Sequence, residues 1–265
     1  MKIAPVLAFA AAVTSGAVAA EPSCSAYSGP HTTALVELYT SEGCDTCPPA
    51  DHWLSSLFSR GFRPDQVVPL SLHVDYWDYI GWKDPYGRAE FSARQRRLAA
   101  MRRPVIVYTP QVLLQGQDFR RWGGDEFGDE VTRINSRGAR ARIALAIRSV
   151  EPRAIQANLS AMLFDAAEQK SAAVYLAAYE NRLASDVKAG ENKGRRLEHD
   201  FVVREWIGPI AFGDGLKVEQ SRALPLLPGA DPRNLGVAAF VQNRGTSEVL
   251  QALMLPACKE PQKAP

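Results

Sequence analysis

Two cysteines in this chain are spaced for redox chemistry. Cys44 and Cys47 stand three residues apart in the segment Cys-Asp-Thr-Cys. Such a pair can exchange disulfides, because the thiolate of one cysteine attacks a partner disulfide and the other cysteine resolves the mixed disulfide that forms. The attacking sulfur must be exposed and must have a lowered pKa. The spacing therefore predicts thiol–disulfide exchange at this segment.

The elements around the pair are those that this chemistry needs. The apolar run 34–39 predicts a buried strand, and residues 48–58 predict a helix with Trp53 and Leu54 on its apolar side. The two prolines after Cys47 are tolerated there, since the amides of a first helical turn have no intrahelical partner. The cysteines then lie where a strand ends and a helix begins, where unpaired N–H groups and the helix dipole stabilise a thiolate.

A second signature lies downstream, where Thr109 and Pro110 stand directly before the apolar run 111–114. A strand over 67–74 and a helix over about 88–101 are predicted between the two signatures. This order of elements, from the Cys-x-x-Cys helix to the Thr-Pro strand, resembles the thioredoxin superfamily. The resemblance implies that Cys44 is the attacking thiol and Cys47 the resolving thiol. It also implies that Pro110 is a cis-proline packed beside the cysteines and that Thr109 contacts a bound chain.

A closer resemblance covers residues 33–255. It is carried by Glu-Leu-Tyr-Thr-Ser-Glu-Gly-Cys at 37–44, Cys-Pro-Pro-Ala-Asp at 47–51, His-Val-Asp-Tyr-Trp-Asp at 73–78, Gly-Glu-Asn-Lys-Gly at 190–194 and Val-Val-Arg at 202–204. These stretches resemble an uncharacterised family of secreted thioredoxin-like proteins known only as a domain of unknown function. The resemblance to that family implies a thioredoxin-like fold, but the family has no established substrate.

Two further features are expected near the pair. Glu37, on the strand before it, is either a buried acid that relays protons to Cys47 or a salt-bridged carboxylate. The strand that ends at His73 opens into an aromatic loop, and His73, Tyr76 and Trp77 are candidates to line a substrate groove. The alternative is that His73 is a satisfied core histidine and that the aromatic side chains seal the loop.

Residues 1–20 have the pattern of a signal peptide: Met1-Lys2, a short apolar stretch and a run of small residues. We therefore expect an exported protein, secreted and periplasmic. Four cysteines allow three disulfide pairings in that setting. Cys44 and Cys47 are close enough to pair locally, which leaves Cys24 and Cys258 either to join the two ends of the chain as a structural disulfide or to remain unpaired thiols.

Alternating apolar residues dominate the second half of the chain. Strands are predicted at 141–148, 172–179, 199–206, 216–221, 236–242 and 249–255, a helix at 125–136, and segment 154–167 fits both templates. The predicted fold class is an α/β thioredoxin-like domain at 30–138 followed by a β-rich, sandwich-like accessory domain at 139–258. Segment 190–194 is either a plain turn or a contact with a partner.

The favoured function is an exported thiol–disulfide oxidoreductase that acts on protein or small-molecule thiols and disulfides without a cofactor. One alternative is a Cu(I)-binding or metal-delivery protein that uses the same cysteines with His73 or His52. Another is a binding module in which Cys44–Cys47 is a structural clip. Lys plus Arg (31) nearly equals Asp plus Glu (29), so no strong field favours nucleic acid or a membrane surface.

Overall fold

The computed structural model describes residues 24–102, 105–226 and 228–258, and the predicted signal peptide at 1–20 lies outside them. The helices of this part of the chain are α1 (Pro48–Ser56), α2 (Ala89–Ala100) and α3 (Glu126–Asn135). None of them is long and apolar enough to cross a membrane. The strands are β1 (Cys24–Tyr27), β2 (Ala34–Thr40), β3 (Val67–His73), β4 (Gln111–Leu114), β5 (Gln117–Asp118), β6 (Ala141–Glu151), β7 (Ala154–Leu163), β8 (Ala172–Glu180), β9 (Leu183–Asp186), β10 (Arg196–His199), β11 (Val202–Ala211), β12 (Lys217–Pro225), β13 (Leu235–Asn243) and β14 (Val249–Pro256).

The local elements around the cysteines form where the hydrophobic pattern predicts them. All seven residues of β2 and all seven of β3 are buried, as expected of strands covered on both faces. The ambiguous segment 154–167 forms β7 up to Leu163. Its side chains alternate between partly buried and buried positions along the strand, which is the period of a strand with one face on the core.

Three sheets organise the described part of the chain. The largest has eight strands in the order β14-β13-β8-β11-β3-β2-β4-β5, and a second has four strands in the order β1-β6-β7-β12. The third is a two-stranded ribbon of β9 and β10. A hairpin joins β13 to β14, which pair antiparallel.

The predicted fold class, an α/β thioredoxin-like domain followed by a separate β-rich sandwich-like domain, is wrong. The structure is dominated by strands, and its largest sheet combines β2 to β5 from the first half with β8, β11, β13 and β14 from the second. The link is the parallel pairing of β11 with β3 at Val202 and Ser71, where the Ser71 amide donates to the Phe201 carbonyl at 2.8 Å. Hydrophobic periodicity predicts strands but not their partners. The boundaries proposed at residues 30–138 and 139–258 stay a prediction.

The two faces of the large sheet belong to two different hydrophobic cores. Along β8, Tyr175 and Tyr179 point into the core that contains the apolar sides of the three helices. Val174 and Leu176 point the other way, into a core shared with the four-stranded sheet. The period-2 alternation of a strand thus lets β8 fill both cores, which explains why nearly every residue in it is apolar.

The strand predicted at 199–206 is interrupted. His199 ends β10 and Val202 begins β11, because Phe201 has a φ of 57° and cannot continue an extended strand. β9 and β10 form a ribbon that the sequence reasoning missed, and the loop 187–195 at its tip extends towards α1.

Candidate functional site

Cys44 and Cys47 form a disulfide at the start of α1, with their Cα atoms 5.4 Å apart. Cys47 is the N-cap residue of the helix, and its carbonyl accepts hydrogen bonds from the amides of Ala50 at 2.9 Å and Asp51 at 3.2 Å. The chain leaves β2 at Thr40 and reaches the first cysteine through three turn residues. This is the position between strand end and helix start in which a thiolate is stabilised by helix N–H groups.

Both cysteines are buried, which corrects the expectation of an exposed attacking sulfur. Cys44 is 1% exposed and Cys47 is 0% exposed, although Asp45 and Thr46 between them face solvent. The Cys44 Sγ lies 3.3 Å from the Thr46 hydroxyl. An incoming thiolate can therefore reach this disulfide only after some of the residues that bury it move.

The loop 187–195 supplies some of the residues that bury the disulfide. The Asn192 side chain is fully buried, and its Nδ2 donates to the carbonyl oxygens of Glu42 and Cys44, both at 2.9 Å. The neighbouring Glu191 carboxylate accepts from the Asp45 amide at 3.1 Å. Segment 190–194 is therefore more than a plain turn, since it holds the backbone of the cysteine motif from a position about 150 residues later in the chain.

We expect Asn192→Asp to destabilise the protein and to expose the disulfide. A carboxylate has the same shape but cannot donate to the two buried carbonyls, so the free energy of unfolding should fall by about 2–3 kcal/mol. Urea denaturation measures that loss, and the rate at which dithiothreitol reduces Cys44–Cys47 should increase. Lys193→Ala is the matched control, because the side chain of this neighbour is exposed. Equal stability and equal reduction rates in both variants would show that the loop does not hold the motif.

Trp77 connects the aromatic loop to the Thr-Pro segment. Its indole Nε1 donates to the Thr109 hydroxyl at 2.7 Å. The Trp77 side chain also lies against Gly43, where a Cβ would come within 3.0 Å of the Trp77 Cβ. A residue with a side chain at 43 would push the loop away, so glycine is required for the close approach.

Pro110 precedes β4, and the Thr109–Pro110 peptide bond is cis. The first residue of β4, Gln111, is the register partner of Tyr39 near the end of β2. Pro110 consequently lies beside the end of the strand that leads into the cysteine motif. The structure thus brings Thr109, Pro110 and Trp77 to the same end of β2 as the cysteine motif.

His73 is too deeply buried to line an open groove, whereas Tyr76 is only partly buried. The Tyr76 hydroxyl donates to Gln95 on α2 at 3.1 Å, and burial raises the pKa of Tyr76. His73 is 0% exposed, because the last residue of β3 is covered by the loop that follows it and by the β9–β10 ribbon. The role of Tyr76 in substrate binding stays a prediction, whereas His73 belongs to a buried polar cluster.

Glu37 is paired with a buried arginine of α2. Arg94 Nε and one guanidinium nitrogen donate to the two Glu37 carboxylate oxygens at 2.6 and 3.0 Å, and both residues are almost fully buried. Burial lowers the pKa of Arg94, but the charge of Glu37, its hydrogen bonds and the nearby Tyr39 together raise it more, so the guanidinium stays charged. This arrangement matches the salt-bridge alternative for Glu37, and a proton relay to Cys47 stays a prediction.

A cluster of five polar residues lies beneath the motif. His73 Nδ1 is 2.8 Å from Asp84 Oδ2, and His199 Nε2 is 3.1 Å from Glu42 Oε1. His199 Nδ1 is 3.6 Å from Asp51 Oδ1, and the two imidazole rings meet edge to face with centroids 4.8 Å apart. All five are buried, and together they connect the ends of β2, β3 and β10 with α1.

The charges of this cluster shift the pKa values of its members. Burial raises the pKa of Asp84, but the neighbouring His73 and the hydrogen bonds from the Glu42 and Tyr86 amides together lower it more, so the net shift is downwards. Burial lowers the pKa of His199, but its contacts with Asp51 and Glu42 outweigh that effect and raise it to about 10. The Glu42 carboxylate is also held by the Trp82 indole at 2.8 Å. The cluster can therefore hold positive charge firmly in a buried position.

Sequence reasoning missed most of this cluster. It selected His73 but not Glu42, Asp51, Asp84 or His199, and it did not select Asn192, which holds the backbone of the cysteine motif. One signal was present: the chain has only four histidines, and one of them, His73, ends an apolar strand. A polar residue in an apolar strand needs a buried partner.

Cys24 and Cys258 form the second disulfide, with Cα atoms 5.6 Å apart. Cys24 begins β1 at the edge of the four-stranded sheet, and Cys258 follows β14 at the edge of the large sheet. The described part of the chain contains no free cysteine. Since lasting disulfides are rare in the reducing cytoplasm, the two bridges indicate an extracytoplasmic protein.

Comparison with known proteins identifies a family and a shared fold. No curated protein matches the chain. The fold is similar to that of a protein from Agrobacterium tumefaciens whose crystal structure has a TM-score of 0.64 at 23% identity, over 89% of this chain and 100% of that chain. It is also similar to HBP35 of Porphyromonas gingivalis, with a TM-score of 0.63 at 14% identity over 90% of this chain and 81% of that one. The family model described as "Protein of unknown function (DUF1223)" matches residues 35–242, most of the chain, and the protein belongs to that family.

Proposed function

We propose that this protein is an exported thiol–disulfide oxidoreductase whose Cys44–Cys47 pair works through a mixed disulfide. The observation that carries the proposal is the disulfide closed across one turn at the N-cap of α1. At that position the leaving Cys47 sulfur is released as a thiolate next to helix N–H groups, which favour the anion. Export rests on the predicted signal peptide and on the two disulfides, which suit the periplasm.

The oxidised form accepts two electrons from a dithiol substrate. A substrate thiolate attacks the Cys44 sulfur, forms a substrate–Cys44 bond and breaks the Cys44–Cys47 bond, and Cys47 leaves as a thiolate that takes up a proton. The second substrate thiolate then attacks the substrate sulfur of the mixed disulfide. This forms the substrate disulfide and releases Cys44 as a thiolate. The same steps in reverse reduce a substrate disulfide.

The surface near Thr109 suits a polypeptide with apolar side chains. Val105, Ile106 and Val107 lead to Thr109, and each is more than a third exposed. Tyr79, in the aromatic loop, is 81% exposed and stacks on Trp77. Exposed apolar side chains grouped beside a reactive pair are typical of a surface that binds a protein partner.

A second candidate is favoured by the burial of both sulfurs. A disulfide that is closed to solvent and clamped by Asn192 is also what a structural clip on a non-catalytic binding module requires. Structural disulfides have low reduction potentials and resist the glutathione pool, whereas catalytic ones are labile. The two candidates therefore differ in whether the pair turns over.

The decisive experiment is trapping with Cys47→Ser in cells that express the full chain. Without the resolving sulfur, Cys44 should retain its partner as a mixed disulfide, visible as a dithiothreitol-sensitive adduct on a non-reducing gel. The Cys44→Ser/Cys47→Ser variant is the matched control and should give no adduct. The purified wild-type protein should also reduce insulin in the presence of dithiothreitol faster than that double variant does.

Two results would contradict the oxidoreductase. One is the absence of adducts from Cys47→Ser in a folded, exported protein. The other is a Cys44–Cys47 pair that stays oxidised in a glutathione buffer poised at about −300 mV, since that resistance is typical of a structural disulfide. The structural disulfide of the second candidate would be supported if either result is obtained and the wild-type protein also reduces insulin no faster than the Cys44→Ser/Cys47→Ser variant does.

A further inference from the structure

Two buried imidazoles in the polar cluster each have one ring nitrogen without a partner. His73 is 0% exposed and His199 is 2% exposed. Among the described residues, neither His73 Nε2 nor His199 Nδ1 has a hydrogen-bond partner. Buried polar atoms are nearly always paired, so two unpaired nitrogens in contacting rings need an explanation.

The opposite nitrogen of each ring faces a carboxylate. His73 Nδ1 is 2.8 Å from Asp84, and His199 Nε2 is 3.1 Å from Glu42. In metal sites, a ligating histidine almost always donates its other N–H to a carboxylate or carbonyl, which fixes the tautomer and aims the free nitrogen at the metal. Both rings have this arrangement here.

Asp51 supplies the third ligand atom. One carboxylate oxygen, Oδ2, accepts from the Thr40 hydroxyl at 2.8 Å, which orients the group. The other, Oδ1, is 3.6 Å from His199 Nδ1. One ligand atom from each of Asp51, His73 and His199 lies within 4.8 Å of the others, so a single ion can be reached by all three.

We propose that Asp51, His73 and His199 form a binding site for one divalent transition-metal ion of the zinc type. Two imidazole nitrogens and one carboxylate oxygen are one of the ligand sets found in zinc sites with three protein ligands. The site contains no sulfur and differs from the Cu(I) site that the sequence suggested for the cysteines. This proposal goes beyond the oxidoreductase function proposed above and does not depend on that function.

The ion connects three elements that meet at the cysteine motif. His73 ends β3, His199 ends β10, and Asp51 lies on α1, where its amide donates to the Cys47 carbonyl. Three buried carboxylates, those of Glu42, Asp51 and Asp84, surround only two imidazoles, so a divalent cation compensates their charge better than a proton on one ring does. The role that follows from this placement is structural.

The test uses the full, tag-free exported chain with both disulfides closed. After removal of metal with a chelator, the wild-type protein should bind one Zn²⁺ per chain in a calorimetric titration, and its thermal unfolding midpoint should rise with added Zn²⁺. Mg²⁺ should cause no rise, since it prefers oxygen ligands. Asp51→Asn and His199→Gln should each weaken Zn²⁺ binding at least about 100-fold, and Asp84→Asn about 10–100-fold.

His52→Gln is the matched control, because His52 is next to Asp51 in sequence but exposed, and it should bind Zn²⁺ as the wild type does. X-ray absorption of the Zn²⁺-loaded wild-type protein gives a readout that does not depend on variants folding. It should report imidazole nitrogen and oxygen ligands without sulfur. Absence of Zn²⁺ binding by the wild type would overturn the proposal and leave a proton on His199 as the occupant. Sulfur ligands, or weakening by His52→Gln alone, would also overturn it. The result is distinguishable from a failed oxidoreductase, which Cys47→Ser tests separately.

Discussion

Replacing Arg94 with methionine is expected to lower the free energy of unfolding by about 3–5 kcal/mol, because it leaves the Glu37 carboxylate buried without its partner. Both members of this pair are nearly inaccessible to water, and Arg94 satisfies both carboxylate oxygens. The guanidinium also lies about 5 Å from the ring centroids of Tyr175, Trp206 and Phe240, so its loss removes contacts with aromatic faces as well. Equilibrium urea denaturation measures the change.

Arg63→Met is the control for this experiment. Arg63 makes the same kind of contact with Asp65 at 3.0 Å, but both side chains are more than 60% exposed. The loss there should be no more than about 0.5 kcal/mol, since exposed ion pairs contribute little. The Glu37→Met/Arg94→Met variant should lose clearly less than the sum of the two single variants, because it buries no unpaired charge. Additive losses, or equal losses at 63 and 94, would contradict this account.

The elements that position the cysteines follow from local patterns. The apolar runs of β2 and β3 predict buried strands, and the prolines after Cys47 mark a helix start. The alternation in β7 was ambiguous because small alanines occupy positions that suit a helix as well as a strand. Only the packing of Leu159 and Leu163 into the core decides it.

The fold class could not be predicted in the same way, because it depends on pairings between distant residues. One parallel contact at Val202 and Ser71 joins the halves that the sequence had separated into two domains. The resemblance to thioredoxins was based on the order of the first elements, and that order does not exclude further strands entering the same sheet. A single residue, Phe201, divides the strand that periodicity suggested at 199–206.

The buried cluster could not be predicted from the sequence for a related reason. Asp51 and His199 are 148 positions apart in the chain, and neither belongs to a motif with fixed spacing. Asn192 reaches the Cys44 carbonyl across the same separation of 148. The β9–β10 ribbon brings both His199 and Asn192 to the motif, so one hairpin that the pattern did not reveal supplies a clamp for the disulfide and a ligand for the proposed ion.

Removing the Cys24–Cys258 disulfide should cost far more stability than removing Cys44–Cys47. The first bridge closes a loop between cysteines 234 positions apart, and the second joins cysteines 3 apart. In the chain-entropy model, the corresponding losses are on the order of 5 and 2 kcal/mol. Denaturation of Cys24→Ala/Cys258→Ala and Cys44→Ala/Cys47→Ala measures both, with alanine chosen so that no polar group is buried. A smaller loss for the first variant than for the second would show that unfolded-state entropy does not govern the contribution of the terminal bridge. If the ordering holds, the long bridge supports the fold by joining the edges of the two sheets, and the short one contributes little to stability, as a pair that opens in each catalytic cycle requires.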